Sequence, residues 1–144
     1  MRKGASIEII VVPDYESLSK RTAMIISEEL KIRPDLVIGL AAGGTYRELV
    51  RMHTEEGLDF PKVTTFNLDE YIGFNPAHPS SYSSFMWENL FSHINVNPSN
   101  VYIPCGDTAD PGEFCRWYED KIEQSGGIDI QLLGIGGEGH IWFQ

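Results

Sequence analysis

Apolar residues along the chain fall into short β-branched runs separated by longer stretches in which they recur at helical spacing. Ile7 to Val12 (IEIIVV) is the first run, nearly continuous and ended by Pro13, and it predicts a strand covered on both faces. Asp14 or Ser17 can cap the helix that follows; Leu18, Ala23, Ile26 and Leu30 recur at near-helical spacing and Pro34 stops the element. Leu36 to Leu40 (LVIGL) is a second strand, breaking into Ala41, Ala42, Gly43, Gly44 and Thr45 before a short helical pattern through Leu49 and Met52. Val63 to Phe66 gives a third. A helix from about Ser81 to His93 turns Tyr82, Phe85, Met86 and Leu90 inward, and Asn100 to Ile103 is a short strand. Asp110, Pro111 and Glu113 then place a cap, a first-turn proline and a capping-box acid in register for a helix with Phe114, Tyr118 and Ile122 as its apolar stripe. Ile128 to Leu133 is the last strand.

Strands alternating with helices through short loops predict βαβ units with right-handed crossovers, hence an α/β fold with a mostly parallel sheet and helices on both faces. A length of 144 residues fits one domain, 1–144, with no internal repeat or linker. Five strands ending near Val12, Leu40, Phe66, Ile103 and Leu133 would bring Gly43, Asp69 and Gly136 to one edge. A glycine loop after the last strand normally opens a helix, but only His140 to Gln144 follow. The expectation is a domain that stops at its active edge, with an incompletely covered sheet that associates with further copies of the chain.

Charge narrows the partners. The formal net charge is −10 and no basic run or stripe exists, which argues against nucleic-acid binding. An anionic ligand has to be held locally, by backbone N–H groups and helix N-termini. No apolar run approaches the roughly 18 to 20 residues that span a bilayer, and the start, MRKGASIEIIVVP, passes directly into a strand pattern, so a cytoplasmic protein without membrane contact is expected. The two cysteines, Cys105 and Cys115, lack zinc-ligand spacing and are read as structural, with no metal.

Three stretches carry candidate chemistry. AAGGT, after the second strand, offers glycines for close backbone approach, with N–H groups and the Thr45 hydroxyl at a helix start, a turn suited to phosphate. It matches neither GxGxxG nor GxxxxGK[ST], which demotes dinucleotides and nucleoside triphosphates. TFNLDEYIG (Thr65 to Gly73) runs a strand into Asp69 and Glu70. Ligands of open parallel sheets bind beyond the carboxyl ends of the strands; adjacent strand-end residues point to opposite sides, and Asp69 is the one expected to face a ligand. In LGIGGEGHI (Leu133 to Ile141), Glu138 can orient His140, and a histidine titrating near neutrality can both take and give a proton.

Together LAAGGT, VTTFNLDEYIG with HPSSYSSFM after it, and LLGIGGEGHI resemble the glucosamine-6-phosphate deaminase (isomerase) family across almost the whole chain. FNLDEY and SYxSFM are the specific segments. The resemblance implies a Rossmann-like sheet and cofactor-free conversion of glucosamine 6-phosphate to fructose 6-phosphate and ammonia. Asp69 then matches the acid that moves a proton between C2 and C1. His140 matches the histidine that opens the ring, Glu138 the family's usual aspartate beside it, and Gly43, Gly44, Thr45 and Gly137 the substrate-binding glycine segments. The related 6-phosphogluconolactonases share the glycine turns but usually carry DER where this chain reads Asp69, Glu70, Tyr71; that hydrolase, or a non-catalytic sugar-phosphate-binding fragment, is the alternative. Three departures are visible: Tyr46 follows Thr45 without the family's proline-containing insert, GHIAFNEP is replaced by GHIWFQ, and the chain corresponds to the N-terminal half of a longer family.

Overall fold

The computed structural model describes residues 7–135, 138, 139 and 141. Its elements run α1 (Tyr15–Ile32), β1 (Val37–Leu40), α2 (Tyr46–Glu56), β2 (Thr64–Asn67), α3 (Tyr82–Asn89), β3 (Val101–Tyr102), α4 (Pro111–Gln124) and β4 (Ile130–Gln131), with 3-10 turns at Phe91–His93 and Pro98–Asn100. The strands form one sheet in the order β3-β2-β1-β4, and every pairing is parallel. β1 and β2 are in register from Val37 opposite Thr64 to Leu40 opposite Asn67, so both end at the same edge.

Alternation along the strands divides the core. Leu36, Ile38, Leu40 and Val63 face Ala23, Ile26 and Leu30 of α1, Leu49 and Met52 of α2 and Met86 of α3. Val37 and Phe66 face Tyr118 of α4, with Phe114 and Ile122 beside it. Helices thus cover both faces, three on one side and α4 on the other. Local signals start these helices: Asp14 Oδ1 accepts from Ser17 N at 2.7 Å and Asp110 Oδ1 from Glu113 N at 2.8 Å, each satisfying an orphan first-turn donor. At the β4 side, the Arg33 guanidinium donates to both Asp129 carboxylate oxygens (2.7 and 3.0 Å), and Asp129 also accepts from Val37 N at 2.9 Å. The Val37 N–H and then Arg33 hold the Asp129 carboxyl below its ordinary range. This tie is present above the unfolded carboxylate pKa and is lost as pH falls through the folded one.

Two expectations are corrected. Ile7 to Val12 is not a strand: Ile7 and Val11 are each 89 % exposed, and no described strand pairs with the segment. β-branched composition makes a run fit for a sheet, but an unpaired strand leaves its backbone groups unsatisfied and gains nothing. Leu18 lies off the buried face of α1 and is exposed. The outer strands β3 and β4 are also shorter than their apolar runs.

Ile7, Ile9 and Val11, the α1 positions Leu18, Ile25 and Ile32, and Leu133, Ile135 and Ile141 are exposed, and the self-association expectation is open to a direct test. Sedimentation should show concentration-dependent association, accompanied by binding of a hydrophobic dye. A compact monomer that leaves the dye dark would contradict it.

Candidate active site

The turn after β1 is built tightly. Tyr46, the first residue of α2, is 1 % exposed, and its hydroxyl donates to the carbonyl of Ala41, closing the Ala41–Thr45 turn on itself. Burial raises the Tyr46 phenol pKa, so it stays a donor. A Cβ on Gly44 would lie 2.7 Å from the hydroxyl of the exposed Tyr15 side chain, which can swing aside. Thr45 stands at the N-cap of α2 without a side-chain cap bond, and Glu48 N donates to its carbonyl at 3.3 Å. Gly43, Gly44 and Thr45 therefore sit where the sequence places them, at the helix-opening end of β1. Sequence reasoning missed Tyr46; its signal is a spacing that puts it on the same apolar face as Leu49.

At the end of β2 the ladder continues one residue, Leu68 N donating to Leu40 O at 3.1 Å, and from the opposite face the Tyr118 hydroxyl donates to Asn67 O at 2.8 Å. Asp69 follows, half-buried. Burial first, and the neighbouring Glu70 charge second, raise its carboxyl pKa. Neither cause is a hydrogen bond, so among the described residues nothing neutralises this carboxylate.

Glu70, half-buried like Asp69, turns to the helix that follows. Its Oε1 accepts from Tyr71 N and Tyr82 N, and its Oε2 from Ser83 N, each at 3.0 Å. Ser81 Oγ takes Ser84 N at 3.0 Å, and the N-cap Ser81 N donates to His78 O at 2.9 Å. The four orphan N–H groups of α3 are all satisfied, two of them by a carboxylate far back in the chain.

The intervening loop is pinned from the side. Gly73 N donates to Gly106 O at 2.6 Å, Asn75 Nδ2 to Asp107 Oδ2 at 3.0 Å, and Ser81 Oγ to Pro76 O at 2.9 Å. Tyr82 and Tyr71 join through their hydroxyls at 3.1 Å, and Phe74 stacks on His78 with ring centroids 4.3 Å apart.

Between these two assemblies lies a cleft of about 510 Å³, walled by Ala42, Gly43 and Gly44 on one side and Ser80, Ser81, Tyr82 and Phe85 on the other. Its size suits a small ligand. The other described histidines have local duties: His53 Nδ1 meets Leu58 O at 2.6 Å, His78 Nδ1 accepts from Ser80 N at 3.1 Å, and His93 Nε2 meets Glu88 O at 2.8 Å.

The third stretch leaves β4, which is parallel to and paired with β1, so it exits at the same edge as Gly43 and Asp69. Ile135 and Ile141 form an antiparallel bridge; Glu138 is exposed in the turn between them, where Gly139 has φ 80°. Gly136, Gly137 and His140 lie outside the described residues. Among the described residues no group of His, Cys, Asp and Glu is arranged to hold a metal ion.

Comparison with known proteins agrees with this fold. The family described as glucosamine-6-phosphate isomerases/6-phosphogluconolactonase matches residues 15–142. The glucosamine-6-phosphate deaminase of Thermoanaerobacter sp. (strain X514) is 48% identical over 141 residues, covering 95% of this chain and 56% of that protein. Glucosamine-6-phosphate deaminase 2 of Bacillus subtilis (strain 168) is also 48% identical, with 95% and 57% covered. Among solved structures, a monomeric glucosamine-6-phosphate deaminase superposes with a TM-score of 0.89 at 44% identity, over 94% of this chain and 58% of that one. A 6-phosphogluconolactonase from Thermotoga maritima superposes at 0.72 with 20% identity, over 91% and 60%, which is a likeness of fold alone. This chain spans a little over half the length of the deaminases it matches. With its glycine turn, strand-end acid and parallel sheet, it belongs to the glucosamine-6-phosphate isomerase/6-phosphogluconolactonase family.

Proposed function

We propose that the chain carries the proton-transfer half of a sugar-phosphate isomerase/deaminase site, acting on glucosamine 6-phosphate and water, which hydrolyses the C2 imine left by the proton shift, to give fructose 6-phosphate and ammonia. The observation that carries the reading is Asp69: a half-buried, un-neutralised carboxylate at the end of β2, on the edge where the glycine turn leaves β1. Moving a proton between adjacent sugar carbons needs one base within roughly 3 Å of both. Asp69 takes the proton from C2 and returns it to C1. Its burial makes it a stronger base than an exposed aspartate. The phosphate is held at Gly43, Gly44 and Thr45 by backbone N–H groups and the N-terminus of α2, which suits a chain whose net charge repels anions. Ring opening falls to His140 with Glu138, and Gly137 contributes backbone to the sugar. No cofactor enters this chemistry.

The hydrolase reading has Tyr71 against it. Where the lactonases usually carry arginine, this side chain stacks near Tyr82 and bonds its hydroxyl, offering no cation to an anionic substrate.

The test is ammonia release from glucosamine 6-phosphate, run beside hydrolysis of 6-phosphogluconolactone and calorimetry with each sugar phosphate. Ammonia release without lactone hydrolysis supports the proposal. Lactone hydrolysis alone, or sugar-phosphate binding with neither reaction, replaces it with the corresponding alternative.

A further inference from the structure

Glu70 immediately follows Asp69, so whatever fixes its carboxylate also fixes the backbone that presents the acid. That carboxylate is fixed three times over, by the N–H groups of Tyr71, Tyr82 and Ser83. At 3.0 Å these bonds are of ordinary length, but a charged acceptor makes each stronger than a neutral pair, and the positive end of α3 adds to them. Gly106 lies beside the alkyl part of the side chain, since a Cβ built there would meet Glu70 Cγ at 3.2 Å. The helix that receives it has 8 residues, too short to persist without its caps and its packing. Its first turn supplies Ser81, Tyr82 and Phe85, the wall of the cleft opposite Gly43 and Gly44.

We propose that Glu70 is a positioning residue: it ties the end of β2, with Asp69 on it, to the first turn of α3, and so sets where the acid stands relative to the far wall of the cleft. This deepens the sugar-phosphate reading and rests on it for the catalytic consequence only. The tie itself is independent of turnover. The titratable groups around Glu70 are Asp69, Tyr71, Tyr82 and Cys105. Only Asp69 combines adjacency with an open carboxylate.

Glu70→Gln tests it. The amide keeps the length of the side chain but turns an NH2 toward backbone donors, so part of the three-way acceptor is lost. Three quantities are read on the whole chain: amide hydrogen exchange at Tyr82 and Ser83, the titration midpoint of the Asp69 carboxyl carbon by NMR, and solvent-deuterium incorporation into glucosamine 6-phosphate. Exchange at both amides should accelerate about tenfold, the equivalent of one lost hydrogen bond of ordinary worth. The Asp69 midpoint should fall, because a neighbouring negative charge is gone. Deuterium incorporation should drop about tenfold or more, with substrate affinity changed far less, since the phosphate is held at another turn.

Unchanged exchange and an unchanged Asp69 midpoint would overturn the proposal. Faster amide exchange with wild-type deuterium incorporation would reduce Glu70 to a helix cap and overturn it equally. If the wild-type chain incorporates no deuterium, the proposed reaction fails, while exchange and titration still judge the tie. If Glu70→Gln does not fold, Glu70→Asp keeps the charge but not the reach. The same amides should then exchange faster while the Asp69 midpoint stays raised; protection at the wild-type level would overturn the tie.

Discussion

Asp69→Asn is expected to stop proton exchange at the sugar carbon and, in the same molecule, to raise the thermal midpoint. The amide keeps the size of the side chain but cannot take a proton, and losing a general base costs about 10² to 10⁴ in rate. Binding of the sugar phosphate should survive, because the phosphate contacts proposed above lie at Gly43 to Thr45. The stability gain follows from the raised pKa. A carboxyl whose folded pKa lies above its unfolded value contributes stability while protonated and loses it as pH rises through the folded value, so at neutral pH the native chain carries the charge at a cost. Asparagine removes both the burial penalty and the repulsion from Glu70. The difference in midpoint should be positive at neutral pH and vanish as pH drops below the carboxylate range. Deuterium incorporation at the wild-type rate would remove Asp69 from the proton path. A variant less stable than wild type at neutral pH would show that the carboxylate has a structural partner.

Such a gain would fit the proposed role of the acid. A destabilising half-buried charge persists in a fold where function needs it.

What could be read from the sequence was local. Asp14, Asp110 and Pro111 announced their helices because a cap and its donor lie within one turn. The placing of Gly43 to Thr45 and of Asp69 at one sheet edge was legible because each directly follows a buried apolar run that reads as a parallel strand. Ile7 to Val12 was misread because a strand is defined by its neighbour, and composition says nothing of whether a free edge is within reach. The Glu70 bonds to Tyr82 and Ser83, and the Tyr118 bond to Asn67, were invisible for the same reason: partners 12, 13 and 51 positions apart leave no periodic trace. Tyr46 falls between these cases. Its burial followed from helical spacing, but the acceptor it found, the carbonyl of Ala41, depends on how the short turn folds back.

Gly106→Ala is expected to be the most damaging single-methyl change near the site. Its added carbon would run into the carbonyl oxygen of Tyr71, lie 2.7 Å from that of Phe74 and press on Glu70 Cγ. Two of these are backbone atoms of the loop that follows Asp69 and Glu70, so no side-chain rotation relieves the overlap. Overpacking of this kind costs about 1 to 3 kcal/mol. The Gly73 N–H bond to Gly106 O, at 2.6 Å, would move with it. Gly57→Ala is the control. Gly57 ends α2 in the left-handed region at φ 71° with nothing within 4 Å of a built Cβ, so its cost of about 1 to 2 kcal/mol is conformational and confined to the helix end. Urea unfolding should show both variants destabilised. Only Gly106→Ala should also shift the Asp69 titration and speed amide exchange at Tyr82 and Ser83, because only there is the clash transmitted to the carboxylate that holds α3. A Gly106→Ala protein as stable as wild type, with those amides still protected, would mean that the loop yields freely and that the acid is held in place by something other than this contact.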